Sequence, residues 1–127
     1  MRKSKMNPIE GELYKRLSGG PFYAEGTVRG SFTLDENFPA FQGHFPGAPV
    51  CPAVAEVRAA LLLMELTTGG RYAFGKLSNA KFLKPLLPGD RIDVEIAVPG
   101  EDCKAAAKVM VGETVAAKFT LHFPTEP

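Results

Sequence analysis

The sequence predicts an α+β domain in which one antiparallel sheet wraps a single long helix. Three observations lead there. Residues 52–67 carry apolar side chains nearly all round a helix, the pattern of a buried one. Four strand-like segments follow with only turns between them, and consecutive strands without crossovers pair antiparallel. Thirteen glycines and eleven prolines among 127 residues exceed the usual share, which is roughly 12%, as a turn-rich sheet requires.

The elements read in order as follows. Residues 8–17 form a short helix that Gly19-Gly20 stops. In residues 22–34, Thr27, Arg29, Ser31 and Thr33 oppose Val28, Phe32 and Leu34, which reads as one strand. Residues 35–51 are a long loop rich in Phe, Pro and Gly, stiffened by Pro46, Pro49 and Pro52. Pro52 suits the first turn of the helix over 52–67. Val54, Val57, Leu61 and Met64 line one face, while Ala55, Ala59, Leu62 and Leu63 fill the other, and Gly69-Gly70 ends it. A strand over 72–84 leads to the turn Pro88-Gly89-Asp90. Ile92, Val94, Ile96 and Val98 then alternate with polar or small residues up to the turn Pro99–Asp102. Residues 103–111 and 114–123 make a hairpin around Gly112-Glu113. On its second strand Val115, Ala117, Phe119, Leu121 and Phe123 share one face, and Thr114, Lys118, Thr120 and His122 the other.

Size and composition exclude several classes. At 13.7 kDa the chain reads as one domain over 1–127, its first 20 residues an N-terminal extension or short helix. Fifteen basic and fourteen acidic residues leave a net charge of +1, no field for nucleic acid. The longest uninterrupted apolar run, Ala59–Met64, is far short of a membrane span. Residues 1–6 are basic but lack the apolar core of a secretory signal. Cys51 and Cys103 show no metal-ligand spacing, and there are two histidines. Neither a zinc site nor a disulfide scaffold is expected, no metal and no cofactor are implied, and a reduced cytoplasmic location follows.

Two segments carry a resemblance. Phe41-Gln-Gly-His-Phe-Pro-Gly-Ala-Pro-Val-Cys-Pro52 resembles the signature that precedes the central helix in β-hydroxyacyl-ACP dehydratases, hotdog-fold enzymes of fatty-acid synthesis. Ala80-Lys81-Phe82-Leu83-Lys84-Pro85-Leu86-Leu87-Pro88-Gly89-Asp90 resembles the same family's second block. The two cover about a fifth of the chain, and the element order matches a hotdog over nearly all of it. The resemblance implies an acyl thioester on acyl carrier protein or coenzyme A as substrate. It also implies a homodimer or higher even oligomer, with sheets joined edge to edge and the site at the interface.

Dehydrating a 3-hydroxyacyl thioester needs a base for the C2 proton, donors for the charge growing on the thioester oxygen, and an acid for the departing hydroxyl. By resemblance His44 is the base and the backbone N–H of Ala53, where the family prefers Gly, is the donor. Phe41, Gly43, Phe45, Pro52, Val54 and Leu62 line the acyl channel. The family's helix carboxylate falls at Arg58, and Arg is protonated at any workable pH. Leu62 stands where a common subgroup has Gln. Glu56, two residues back and about 200° round the helix, is expected to face away as a surface charge. Glu65 lies too far along the axis to meet Arg58, which reads first as a solvent-reaching or internally paired arginine and otherwise as a cation met by an acid of a second chain, a phosphate or a substrate carboxylate. Cys51 reads as packing, His122 as solvated, and Lys81 and Lys84 as strand lysines that either face solvent or dock an acidic carrier.

Three functions follow in order. The first is a dehydratase or hydratase of acyl thioesters. The second is a non-catalytic hotdog subunit that binds acyl chains or carrier protein, or pairs with a catalytic paralogue. The third is an acyl thioesterase.

Overall fold

The computed structural model describes residues 8–41, 51–70, 72 and 75–124. Helix α1 spans Pro8–Lys15, and strands β1 (Leu17–Ala24) and β2 (Thr27–Thr33) follow. A single 3-10 turn, Pro39–Phe41, precedes helix α2 (Ala53–Thr68). Strands β3 (Lys76–Phe82), β4 (Arg91–Ala97), β5 (Lys104–Val111) and β6 (Thr114–His122) complete the chain. All strands join one six-stranded sheet in the order β1-β2-β4-β5-β6-β3, antiparallel at every junction.

The sheet curls over α2, and the expected architecture holds. Ala59, Ala60, Leu61, Leu63 and Met64 are fully buried, against Val28, Phe32, Ile92, Val94, Ile96 and Phe119 from the sheet. Each large side chain among them contributes roughly 1.5–3 kcal/mol on burial. The helix crosses β2 closely at Gly30, where a Cβ would overlap the Leu63 side chain. Pro52 (φ −70°, ψ 152°) caps the helix start without a side-chain bond. Gly69 (φ 78°) ends it, its N–H donating to the Glu65 carbonyl at 2.8 Å.

Three expectations need correction. The single strand over 22–34 is a hairpin, β1 and β2, because Glu25 (φ 53°) and Gly26 (φ 82°) form a two-residue turn with both φ positive. Gly19-Gly20 do not stop α1, which ends at Lys15; they lie inside β1, where its register against β2 shifts. The 72–84 strand is confined to Lys76–Phe82. In β6 a register shift opposite Val109/Met110 leaves Ala116 as an extra residue, so Ala116 and Ala117 are both buried and Val115 only half so.

Candidate functional site at the start of the central helix

The two motif blocks meet where α2 begins. The Cys51 N–H donates to the Leu86 carbonyl at 3.0 Å, tying the end of the first block to the middle of the second. Leu86 is fully buried and anchors this junction. The Pro-Gly-Asp turn has a structural reason. Gly89 takes φ 95°, and the Asp90 carboxylate accepts the Leu87 N–H at 2.9 Å. On the strand side Leu34 donates its N–H to the Asp90 carbonyl (2.8 Å) and accepts the Gly89 N–H (2.6 Å). The turn thereby fixes the second block to the end of β2.

Helix α2 starts at Ala53, and its Ala55 N–H turns back to the Pro52 carbonyl at 3.0 Å. Pro52 has no N–H, and the first N–H groups of a helix have no intrahelical acceptor. Ala53 and Val54 are exposed there, Val54 by 49%. The N–H groups of this turn therefore face the positive helix terminus toward whatever approaches it. Ala53 is the predicted donor position.

The predicted residues divide. His44, Gly43 and Phe45 lie outside the described residues. Phe41 is buried and stacks edge-on against Phe38, with ring centroids 5.7 Å apart. Pro52 is half-buried, and Leu62 is packed into the core at 1% exposure. Beside Phe38 a mostly apolar groove of about 400 Å³ runs between α1 and the 3-10 turn, lined by Pro8, Ile9, Glu12, Phe38, Pro39 and Ala40.

Arg58 meets an acid, but of its own chain. Glu10 of α1 is buried, and its Oε2 lies 3.6 Å from Arg58 Nη1. Of the readings open for Arg58 this is the internally paired arginine: α1 packs against α2 and brings the carboxylate. Glu65 is buried too and accepts the Tyr72 N–H at 2.9 Å.

Glu56 is the larger correction. It is not a surface charge but only 4% exposed, and among the described residues its Oε1 has no hydrogen-bond partner. Burial raises its carboxyl to about 8. Helical side chains lean back over the preceding turn, which directs this carboxyl toward Pro52 and Ala53. The Cys51 thiol senses it: burial, with the Glu56 charge adding, pushes that thiol up to about 12. Cys51 is therefore a packing residue, as expected, and not a nucleophile. Periodicity could not find Glu56, because α2 is buried all round and has no polar face to exclude it from. His122, read as solvated, is half-buried and bonds Ser78 Oγ through Nε2 at 2.5 Å.

Comparison with known proteins agrees with this arrangement. The family model described as "ApeI-like: ApeI dehydratase" matches residues 23–119. The chain is 36% identical over 106 residues to the 3-hydroxyacyl-[acyl-carrier-protein] dehydratase FabZ of Koribacter versatilis, covering 75% of this chain and 67% of that protein. It is 37% identical over 106 residues to FabZ of Desulforamulus reducens, covering 76% and 75%. Among solved structures, a chain of the dehydratase heterocomplex ApeI:P from Xenorhabdus doucetiae superimposes with TM-score 0.73 at 20% identity, covering 80% of this chain and 90% of that one. The E. coli PaaI protein of the phenylacetic acid degradation operon gives TM-score 0.63 at 14% identity, covering 89% and 86%. These distant structures establish the hotdog architecture. The matched span takes in both motif blocks and the whole of α2, and the chain belongs to the ApeI-like dehydratase family, a hotdog protein of the β-hydroxyacyl-ACP dehydratase group.

Proposed function

We propose that this chain removes water from 3-hydroxyacyl thioesters, with His44 taking the C2 proton and the Ala53 N–H holding the charge that grows on the thioester oxygen. The observation that carries this reading is the start of α2. Cys51, at the end of the first block, is bonded to Leu86 of the second there, beside Ala53 at the first position of the helix, whose N–H has no acceptor within it. The groove beside Phe38 supports an apolar acyl chain as the bound group.

Charge on the sheet supports a carrier protein as the thioester's bearer. On the outer face Lys81 (β3), Lys118 (β6) and Lys108 (β5) stand directly across from one another, and Lys76, His122 and Lys104 form a second such row. Glu95 eases Lys108 at 3.9 Å, but Lys81 and Lys118 in register cost stability, and an acidic partner relieves that cost. The β2–β4 half of the face is mixed instead, with Arg29 3.3 Å from Glu95 and Arg91 3.7 Å from Asp93. Strand β3 pairs only with β6 and exposes Leu77 and Phe82, with Leu83 just beyond. Such an edge favours pairing with a second hotdog chain.

A second reading has one observation in its favour. With Arg58 at the family's carboxylate position and engaged by Glu10, the chain fits a subunit that lends its residues to a paired paralogue. Its structural neighbour from X. doucetiae is itself part of a heterocomplex.

The test is turnover of a 3-hydroxyacyl thioester followed by enoyl absorbance. The wild type forms enoyl product, and His44→Ala loses it by roughly 100-fold or more. No product from the wild type, or an unaffected His44→Ala, contradicts the reading. Activity that appears only on adding a co-purifying hotdog chain selects the second.

A further inference from the structure

We propose that Glu56 is the proton donor to the departing hydroxyl, supplying from the first turn of α2 the acid that position 58 lacks. The proposal rests on the dehydratase reading above.

Three observations carry it. Glu56 is 96% buried, and a carboxyl so placed is normally bonded to something. Among the described residues Oε1 has no partner, whereas Glu10 faces Arg58 and Glu65 accepts the Tyr72 N–H. Its place on the first turn, with the side chain leaning toward Pro52 and Ala53, puts it beside the backbone donor that would hold the thioester oxygen. Acid and oxyanion donor then share one turn of one helix.

The surroundings favour the protonated form. Cys51 is the titratable side chain coupled to Glu56, and its thiol stays neutral. Arg58 and Glu65 lie on the far side of the helix, about 200° and 180° round, and Arg58 is engaged by Glu10. Among the described residues no cation pulls the carboxyl down, and burial raises it to about 8. An acid of that strength is charged with its proton at neutral pH and can still release it.

The chemistry balances. The imidazole of His44 takes the C2 proton, and the C2–H electron pair becomes the C2=C3 bond. The C3–O bond breaks, and the oxygen leaves with its electron pair. That oxygen receives the Glu56 proton and departs as water. The imidazolium and the Glu56 carboxylate exchange one proton through solvent, restoring both. The products are the enoyl thioester and one water.

The test uses two substrates and the variant Glu56→Gln. Gln is the neutral isostere of the protonated acid, so folding is preserved, and thermal melting verifies it. With 3-hydroxyacyl-CoA the variant loses kcat by roughly 100-fold or more. With the matching 3-chloroacyl-CoA, whose chloride leaves without a proton, it keeps turnover within a few-fold of wild type. His44→Ala loses both substrates, and Glu56→Asp recovers part of the hydroxyacyl turnover. Glu56→Gln with near-wild-type kcat on the hydroxy substrate overturns the proposal, as does equal loss on both substrates, which marks a structural role. A wild type that dehydrates nothing while neither variant changes either substrate sinks the underlying reading instead, a pattern distinct from both.

Discussion

Two points on α2 treat their charge in opposite ways. At its first turn Glu56 is buried with an oxygen that has no partner among the described residues, while two residues on, Arg58 is held by the buried Glu10 of α1. Burial alone therefore does not describe what happens to an ionisable group here; its partner does. The Glu10 carboxyl opposite the Arg58 guanidinium ties α1 to α2. A buried carboxyl with no cation gives up its charge and holds its proton. The first serves structure, and the second has the properties of an acid catalyst.

Breaking the paired end has the largest expected effect. Arg58→Ala removes the guanidinium 3.6 Å from the buried Glu10 carboxyl, and we expect a loss of roughly 3 kcal/mol in urea unfolding. Adding Glu10→Gln replaces the buried acid by its neutral isostere, and we expect the double variant to be more stable than Arg58→Ala alone. A double variant that is no better breaks the comparison at this end.

The unpaired end predicts a pH effect of definite sign. The folded protein holds the Glu56 proton to about pH 8, and the unfolded chain releases it near the ordinary carboxyl value of 4.5. Between those limits the folded state binds the extra proton. The stability from this group is complete below about pH 4.5 and is lost as pH rises toward 8, by about 1.4 kcal/mol per unit. Wild type minus Glu56→Gln, measured in urea at several pH values, isolates that slope. A flat difference contradicts burial of a neutral acid.

A smaller effect tests the helix's seat. Gly30→Ala places a methyl against Leu63, and we expect a loss of roughly 1–3 kcal/mol from overpacking. Leu63→Ala in the Gly30→Ala background recovers less than the cavity it opens costs, so the two changes are non-additive in thermal melting. Smaller still, Arg16→Ala removes bonds to Asp35 (2.6 Å) and Glu12 (2.8 Å) and the guanidinium over Phe38 (5.2 Å). We expect about 1–2 kcal/mol, with α1 loosening before the sheet does in hydrogen exchange.

How much of this was legible in the sequence depends on what each residue answers to. The helix, its Gly69 stop and strands β4 to β6 follow from periodicity, which records burial against neighbours close in the chain. The β1–β2 hairpin was missed because its turn is Glu25-Gly26, a weaker signal than Asn-Gly or Asp-Gly. The motif blocks pointed to the head of α2 as the site, and that the Cys51–Leu86 bond joins the two blocks there was not legible from either block alone. Helical angles put Glu56 and Arg58 on opposite sides correctly. The error lay in taking the side away from Arg58 for a solvent side, whereas both sides of α2 are covered. Glu10 was beyond reach for another reason: it lies 48 residues before Arg58, and only tertiary packing of α1 brings it there.

The most direct measurement is the protonation state of Glu56 itself. The infrared difference between wild type and Glu56→Gln, followed across pH, isolates the carbonyl stretch of one carboxylic acid. We predict that this band is present at pH 7 and vanishes as pH passes about 8. Its disappearance in the ordinary carboxylate range near pH 4–5 would contradict a neutral, buried acid at the head of α2.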